Sequence, residues 1–440
     1  VARSQRIAVI GGGWAGMAAA VELAANSAHQ VTVWESSAHW GGRARGLPLA
    51  LPGGETVTVD NGQHILIGAY TACRALMERV GVSTDASFSK RPLALRYPDG
   101  RGIRFPDRPA PWDALIGIAT AKGWSLPERL QLLARAARWR RQGFRCPPQA
   151  SVADLCAGLP QRLLAEFFDP LCISALNTPI HEASGQVFLR VLQDSLFAVD
   201  KGSHFWLPLV DLGRLFPEAA ATWLQARGHD CHLSARVQQL GMAESGWQIN
   251  GHRYDQVLLA CPPWEAARLV QAAFANPSAP VPAHAKAQAW ADAAQRLAHT
   301  AIATVYAWNP APGAQGHSLP APWLALESSP AQPAQFVFDR AQLGDPAGLL
   351  AFVISTSDGD RADIEQQVIA QAQAQLGLAL QPLKTVVEKR ATFACTPGLQ
   401  RPGMVIAPSL IACGDYIDGP YPATLEGAVR SGIAAAHVLA

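Results

Sequence analysis

Apolar positions along this chain keep two rhythms. Ile7-Ala8-Val9-Ile10 is an unbroken apolar run, and it stops at Gly11-Gly12-Gly13-Trp14-Ala15-Gly16 before an alanine-rich stretch from Met17 to Ala25. A short continuous run followed by glycines and a long run of helix formers predicts a buried strand, a tight turn and a helix. Val31-Thr32-Val33-Trp34 repeats the strand pattern and ends in Glu35. Strand, helix, strand in that order opens a parallel sheet.

Further along, Thr56 to Asp60 alternates like a strand, and Asn61-Gly62-Gln63-His64 makes a turn before Ile65-Leu66-Ile67. The residues from Ser151 to Phe197 are mostly helical in pattern and are expected to wall a cavity. A helix is predicted over Glu218 to Arg227, with a strand and hairpin region around Leu233 to Val237 and Trp247 to Asn250. Gln256 to Ala260 reads as a buried strand that runs into Cys261-Pro262-Pro263, where prolines end it. Ala301 to Tyr306, Gln335 to Phe338 and Leu349 to Ile354 are strand candidates for an antiparallel sheet. Proline-marked linkers are expected at Pro277 to Pro282 and at Asn309 to Pro333. A helix over Ala362 to Leu376, the strand Leu410 to Cys413, Gly414-Asp415 and a helix from Leu425 to Val438 close the chain.

One helix is lopsided. Leu126, Leu130, Leu133 and Ala137 recur at spacings of three and four, while Arg129, Arg135, Arg138, Arg140 and Arg141 carry charge around Trp139. With the apolar loop at Trp112 just before it, this basic amphipathic segment, Trp112 to Arg141, suits contact with an anionic membrane surface. An ordinary surface helix packed on the core is the competing reading.

At 440 residues, with 49% hydrophobic and 16% charged residues, the chain has material for two domains around a large buried core. No apolar run reaches the roughly 18 residues of a membrane span. The first strand begins almost at once after Val1, which leaves no room for a signal peptide and sets a cytoplasmic expectation. The eight cysteines are scattered without a Cys-x-x-Cys, so they read as reduced thiols rather than metal ligands. A net charge of +2 gives no sign of nucleic-acid binding.

The chemistry concentrates at the opening glycines. Gly11 permits the turn, Gly13 lets a pyrophosphate approach the backbone, Gly16 lets helix pack closely on strand, and the free amides at the helix start face the anion. Glu35, just over twenty residues beyond the first glycine, is placed to bind an unphosphorylated ribose. Together these features make a dinucleotide site that nicotinamide or flavin could fill.

Gly-x-Gly-x-x-Gly, Glu35, Gly41-Gly42-Arg43, the terminal Gly414-Asp415, Glu426-Gly427-Ala428 and Ser431-Gly432 resemble the flavin amine oxidase and phytoene desaturase superfamily. Longer strings narrow the likeness: DNGQHILIGAY from Asp60, PLCISALNTP from Pro170, LPLVDLGRLFP from Leu207, EKRATF from Glu388 and YPATLEGAVRSG from Tyr421. They resemble the hydroxysqualene dehydroxylases, FAD enzymes of bacterial hopanoid synthesis.

The resemblance implies an α/β fold, with a Rossmann-like FAD-binding domain and an interleaved α+β substrate domain. It assigns 1–75, 205–275 and 400–440 to the first and 76–204 and 276–399 to the second. By the same likeness Gly11, Gly13, Ala15, Gly16, Gly41, Gly42 and Arg43 hold the FAD pyrophosphate and Glu35 the ribose. Val237 touches adenine, Gly414 and Asp415 hold the ribityl or pyrophosphate part, and Thr424 and Leu425 approach the isoalloxazine. Gly62, Gln63 and His64 are expected on the flavin side. The implied reaction protonates the allylic hydroxyl of hydroxysqualene and delivers hydride from reduced flavin to give squalene, with an electron donor the chain does not identify. His64 and then Tyr421 are the candidate acids, against the plainer readings of a turn histidine and an aromatic packing wall. A phytoene-type desaturase and a flavin amine oxidase are the alternatives. The apolar substrate favours a place at the inner face of the cell membrane.

Overall fold

A computed structural model describes residues 4–198, 200–275, 281–313 and 315–440. Strand β1 (Arg6–Ile10) is buried from Ile7 onward and crosses through α1 (Trp14–Asn26) to pair in parallel with β2 (Gln30–Trp34). Every residue of α1 from Trp14 to Leu23 is buried, as expected of a helix apolar all round that runs through the middle of a domain. A long excursion follows that includes α2 (Trp112–Ala119), α3 (Leu126–Arg141) and α4 (Asp169–Leu176). The chain then returns with β3 (Asp230–His232), which adds to β2, and β4 (Gln256–Leu259), which pairs with the other side of β1.

A second sheet is built from β5 (His299–Trp308), β6 (Trp323–Ala325), β7 (Phe336–Asp339), β8 (Leu349–Ser355) and β9 (Gln381–Phe393). Its strands are all antiparallel, in the order β6-β7-β8-β5-β9. The chain comes back once more as β10 (Val405–Ala407), β11 (Leu410–Ala412) and α5 (Leu425–Leu439). The first sheet then reads β3-β2-β1-β4-β11-β10, parallel except for its last pair. The fold is therefore α/β, a Rossmann-like sheet with an interleaved α+β part. One core surrounds α1 and α5, and another fills the space between the antiparallel sheet and the helices of the excursion.

Some elements differ from the sequence expectation, among them the apolar loop at Trp112, which is helix α2. The strand at Leu233 to Val237 is absent: pairing stops at His232, and Ser234 turns the chain with a φ of 53° so that the Ala235 amide donates to the Glu35 carbonyl at 2.8 Å. Pro277 and Pro280 lie outside the described residues, whereas Pro282 stands in the first turn of a helix over Val281–Gln295, where a missing amide costs no internal hydrogen bond. The stretch from Asn309 to Pro333 includes β6. Strand β9 went unpredicted because Lys384, Glu388, Lys389 and Arg390 break its apolar rhythm, as charges on a sheet-edge strand do.

Candidate functional site

A cavity of about 690 Å³ is lined by residues of both sheets. Gly11, Gly13, Ala15, Glu35, Gly41, Gly42 and Arg43 line it from the opening βαβ unit and the loop after β2, and Val237 from the segment after β3. Gly414, Asp415, Thr424 and Leu425 line it from the end of the chain, and Gly62, Gln63 and His64 from the turn after Asp60. The antiparallel sheet adds Ile302, Phe336, Phe338, Val353, Ser355 and Glu388, and α4 adds Ile173 to Leu176.

The glycine turn is held by its backbone. The Gly11 amide donates to the Trp34 carbonyl at 2.8 Å, and the Gly41 amide donates to the Gly12 carbonyl at 3.0 Å. Gly16 does not line the cavity. A Cβ there would lie 1.9 Å from the Gly11 carbonyl oxygen, so its role is the close packing of α1 under the turn. At Gly13 the nearest atoms to such a Cβ are 3.9 Å away, which leaves the cavity side of the turn open. Helix α1 starts at Gly13 with no side-chain cap and no acid in its first turn, so its leading amides present positive ends without an anion of the protein's own. A pyrophosphate fits that donor set.

Glu35 is buried, and its carboxylate accepts from the Gly12 amide and the Ser37 amide, each at 2.7 Å, and from the Ser36 hydroxyl at 3.2 Å. Those bonds fix the group at the cavity wall while a carboxylate's four acceptor sites leave one for a ribose hydroxyl. Arg43 Nη2 pairs with Asp415 at 2.5 Å, and its Nη1 donates to the Ala391 carbonyl at 2.9 Å. The Gly414 amide donates to the Ser431 hydroxyl at 3.1 Å. Thr424 caps α5, its hydroxyl accepting from the Gly427 amide at 2.9 Å, so a second helix N-terminus also borders the cavity. The residues present therefore suit an extended dinucleotide such as FAD.

The two expected acids fare differently. His64 lines the cavity, with Nδ1 2.6 Å from the Gly62 carbonyl. Burial pushes its imidazolium down to about 4, so near neutral pH the ring is uncharged, Nδ1–H donates and Nε2 is left as an acceptor. That tautomer is poorly made for delivering a proton. Its neighbour Gln63 accepts from the buried Arg340 at 3.0 Å, and Arg340 is paired with Asp345 at 2.5 Å. Tyr421 is not among the lining residues. Its ring stands between Arg190 and Arg430, with guanidinium carbons 5.3 and 4.9 Å from its centre, so the packing reading describes it better. Tyr70 lines the cavity instead. Cys395 is buried away from it, and burial pushes its thiol up to about 12.

Glu388 and Asn177 are cavity residues that the sequence did not single out. Asn177 has a left-handed φ of 46° at the end of α4 and is fully engaged, donating to Thr300 and Thr392 and accepting from the Thr356 amide. Asn177-Thr178-Pro179 closes the string from Pro170 that carried the family likeness, with no sign there of a cavity.

Comparison with known proteins bears on the same residues. The sequence model of the flavin-containing amine oxidoreductases matches residues 14–440. A hydroxysqualene dehydroxylase of Rhodopseudomonas palustris is 28% identical over 473 residues, covering 99% of this chain and 98% of its own. One from Zymomonas mobilis is 24% identical over 462 residues, covering 98% of each. Among solved structures, an oxidoreductase from Methanosarcina mazei superposes over 98% of this chain and 99% of its own with a TM-score of 0.72 at 16% identity, a likeness of fold.

Proposed function

The chain belongs to the flavin-containing amine oxidoreductases and is an FAD-dependent oxidoreductase, and from that premise we propose that it removes the hydroxyl of hydroxysqualene to give squalene for hopanoid or sterol synthesis. The relatives that match nearly its whole length, named for that activity, support the reading. The observation that carries it is one cavity in which a dinucleotide cradle faces an apolar sheet wall.

When bound and reduced, FAD supplies a hydride equivalent. The open amides at Gly13 and the start of α1 would hold its pyrophosphate, Glu35 its ribose, and the Arg43–Asp415 pair the span between. Ile302, Val353, Phe336 and Phe338 give the cavity an apolar wall on the side of the antiparallel sheet. An allylic alcohol that lost water there would leave a delocalised cation, which an apolar wall would shield from recapture by water. Each turnover consumes one reduced flavin, so an external electron donor is required.

The apolar substrate reaches this cavity from a bilayer. Trp112, Leu126 and Leu130 are 62%, 66% and 56% exposed, and Leu115 and Ile116 of α2 join them on the surface. Arg138, Arg140 and Arg141 are exposed at the end of α3, matching an anionic lipid face. Under this patch lies a second, small pocket of about 60 Å³ lined by apolar side chains, among them Leu115, Leu132 and Trp139. No helix among the described residues is long and apolar enough to cross a membrane, which fits contact with the surface rather than a span. The proposed place is peripheral, on the inner face of the cell membrane.

The deciding experiment is anaerobic. Photoreduced protein mixed with hydroxysqualene should reoxidise its flavin and form an equal amount of squalene, read by mass spectrometry. Flavin that stays reduced, with no squalene formed, would overturn the reading.

A further inference from the structure

The second pocket differs from the first in its chemistry. Its walls come mostly from α2, α3, the helix Gly185–Gln193 and two π-helical turns, Leu164–Phe168 and Asp194–Ala198, a rare geometry that recurs at functional sites. No polar atom faces it. Its volume of about 60 Å³ exceeds the roughly 10–15 Å³ that one water needs, but a water there would find no partner. The space therefore stays dry, and hydrocarbon entering it gains contacts that nothing else supplies.

The pocket reaches the surface. Leu115 on its rim is exposed, and Leu133, Ala136, Leu196 and Phe197 are half-buried. The same two helices expose Trp112, Ile116, Leu126 and Leu130. With Leu115 these are five of the ten large apolar side chains exposed among the described residues, so the apolar surface is concentrated here and not scattered. A charge stands beside the pocket as well. The guanidinium carbon of Arg140 lies 5.7 Å from the ring centre of Phe197, and its side chain has no hydrogen-bond or ion-pair partner among the described residues. A free cation beside a dry apolar pocket complements a molecule with an acidic head and a hydrocarbon chain.

We propose that this pocket binds part of one acyl chain of an anionic bilayer phospholipid, whose headgroup phosphate pairs with Arg140. It rests on the membrane contact proposed above and adds a bound lipid to it. Charge decides against hydroxysqualene as the occupant, since a neutral alcohol offers Arg140 no anion. Size points the same way: the pocket takes a short stretch of chain and not a whole isoprenoid.

The test uses the flavin-loaded chain on mixed vesicles of phosphatidylglycerol and phosphatidylcholine, with a photoactivatable diazirine in an acyl chain of one lipid or the other. After irradiation, mass spectrometry should find the phosphatidylglycerol probe on Leu132, Trp139 or Phe168, which line the pocket and are buried. Ala136→Leu fills the pocket and should cut that labelling roughly tenfold, while flotation with vesicles changes by less than about twofold. Ala114→Leu fills it from α2 and gives the same reading should Ala136→Leu not fold. Arg140→Gln should lower the labelling about fivefold, and the phosphatidylcholine probe should label about fivefold less than phosphatidylglycerol. Label confined to Trp112, Leu126 and Leu130, label on the buried residues that the filled variants leave unchanged, or equal labelling by the two probes would overturn the lipid pocket while the membrane contact stands. Labelling removed by excess hydroxysqualene and not by excess phosphatidylglycerol would give the pocket to the substrate and overturn it too. A chain that does not float with vesicles overturns the membrane contact itself, and the pocket falls with it.

Discussion

Arg43 Nη2 lies 2.5 Å from Asp415 Oδ1, joining side chains 372 positions apart. The carboxylate is nearly buried, and the guanidinium also reaches the Ala391 carbonyl of β9. One pair therefore ties the loop after β2, the antiparallel sheet and the loop after β11 around the cavity.

Removing the acid should loosen the cofactor more than the fold. Asp415→Ala leaves Arg43 partly exposed, so water can solvate the freed charge, while FAD loses an oriented neighbour. A charge-assisted hydrogen bond is worth about 1.5–3 kcal/mol, so FAD affinity should fall roughly 10- to 100-fold. Flavin lost on ultrafiltration, followed by absorbance with the far-ultraviolet circular dichroism unchanged, is the expected result. Retention equal to wild type would show that the pair serves the fold alone.

Asp60 sets a pH dependence of stability. Its Oδ1 accepts from the Leu212 amide at 2.8 Å, and its carbonyl accepts from the Tyr306 hydroxyl at 2.7 Å. Burial pushes this carboxyl up to about 7 from 3.8. The folded chain thus keeps a proton that the unfolded chain sheds, so the group's stabilisation is fully present below pH 4 and is lost as pH rises through 7. Asp60→Asn keeps an acceptor for Leu212 and removes the titration. Between pH 5 and 8 wild type should lose stability relative to Asp60→Asn by about 1 kcal/mol per pH unit, read from Tm or urea unfolding of both proteins. His64 works with the opposite sign: held down to about 4, its stabilisation is present above 6.5 and lost as pH falls through 4. It is common to both proteins and cancels. Parallel stability curves would refute the assignment to Asp60.

What could be read from the chain follows from how local each signal is. The glycine turn, Glu35 and the first two strands depend on neighbours within thirty positions, and each was visible as a pattern. Arg43 and Asp415 were singled out by resemblance alone, each for the cofactor, and their pairing with each other was not legible, since no spacing rule links residues so far apart. Glu388 was hidden for two physical reasons: charge on a sheet-edge strand masks the alternation, and the register shift against β5 changes which side chains face the cavity. In α3 the apolar stripe was legible but not its direction. Leu126 and Leu130 face outward, while Leu132 and Trp139 are buried, Trp139 meeting Phe168 edge-on at 5.9 Å. A helix apolar on two faces gives one periodic signal, and only packing decides which face is covered.

That outward stripe leads to the remaining prediction. Trp139, expected among the cationic heads, is committed to the core, and Arg135 is bonded to the Leu155 and Ala157 carbonyls, so neither is free for lipid. Arg138, Arg140 and Arg141 are exposed, and each is worth about 1 kcal/mol near an anionic bilayer. Reversing all three with Arg138→Glu, Arg140→Glu and Arg141→Glu should weaken binding to phosphatidylglycerol vesicles roughly a hundredfold or more, with no loss of flavin absorbance. Leu126→Ser with Leu130→Ser should weaken binding to neutral and anionic vesicles alike, because it removes apolar contact instead of charge. Vesicle flotation separates the two effects, and raised salt should release wild type only in part, the leucines holding what the arginines no longer do. Binding unchanged in both sets of variants would mean that another surface, or none, meets the membrane.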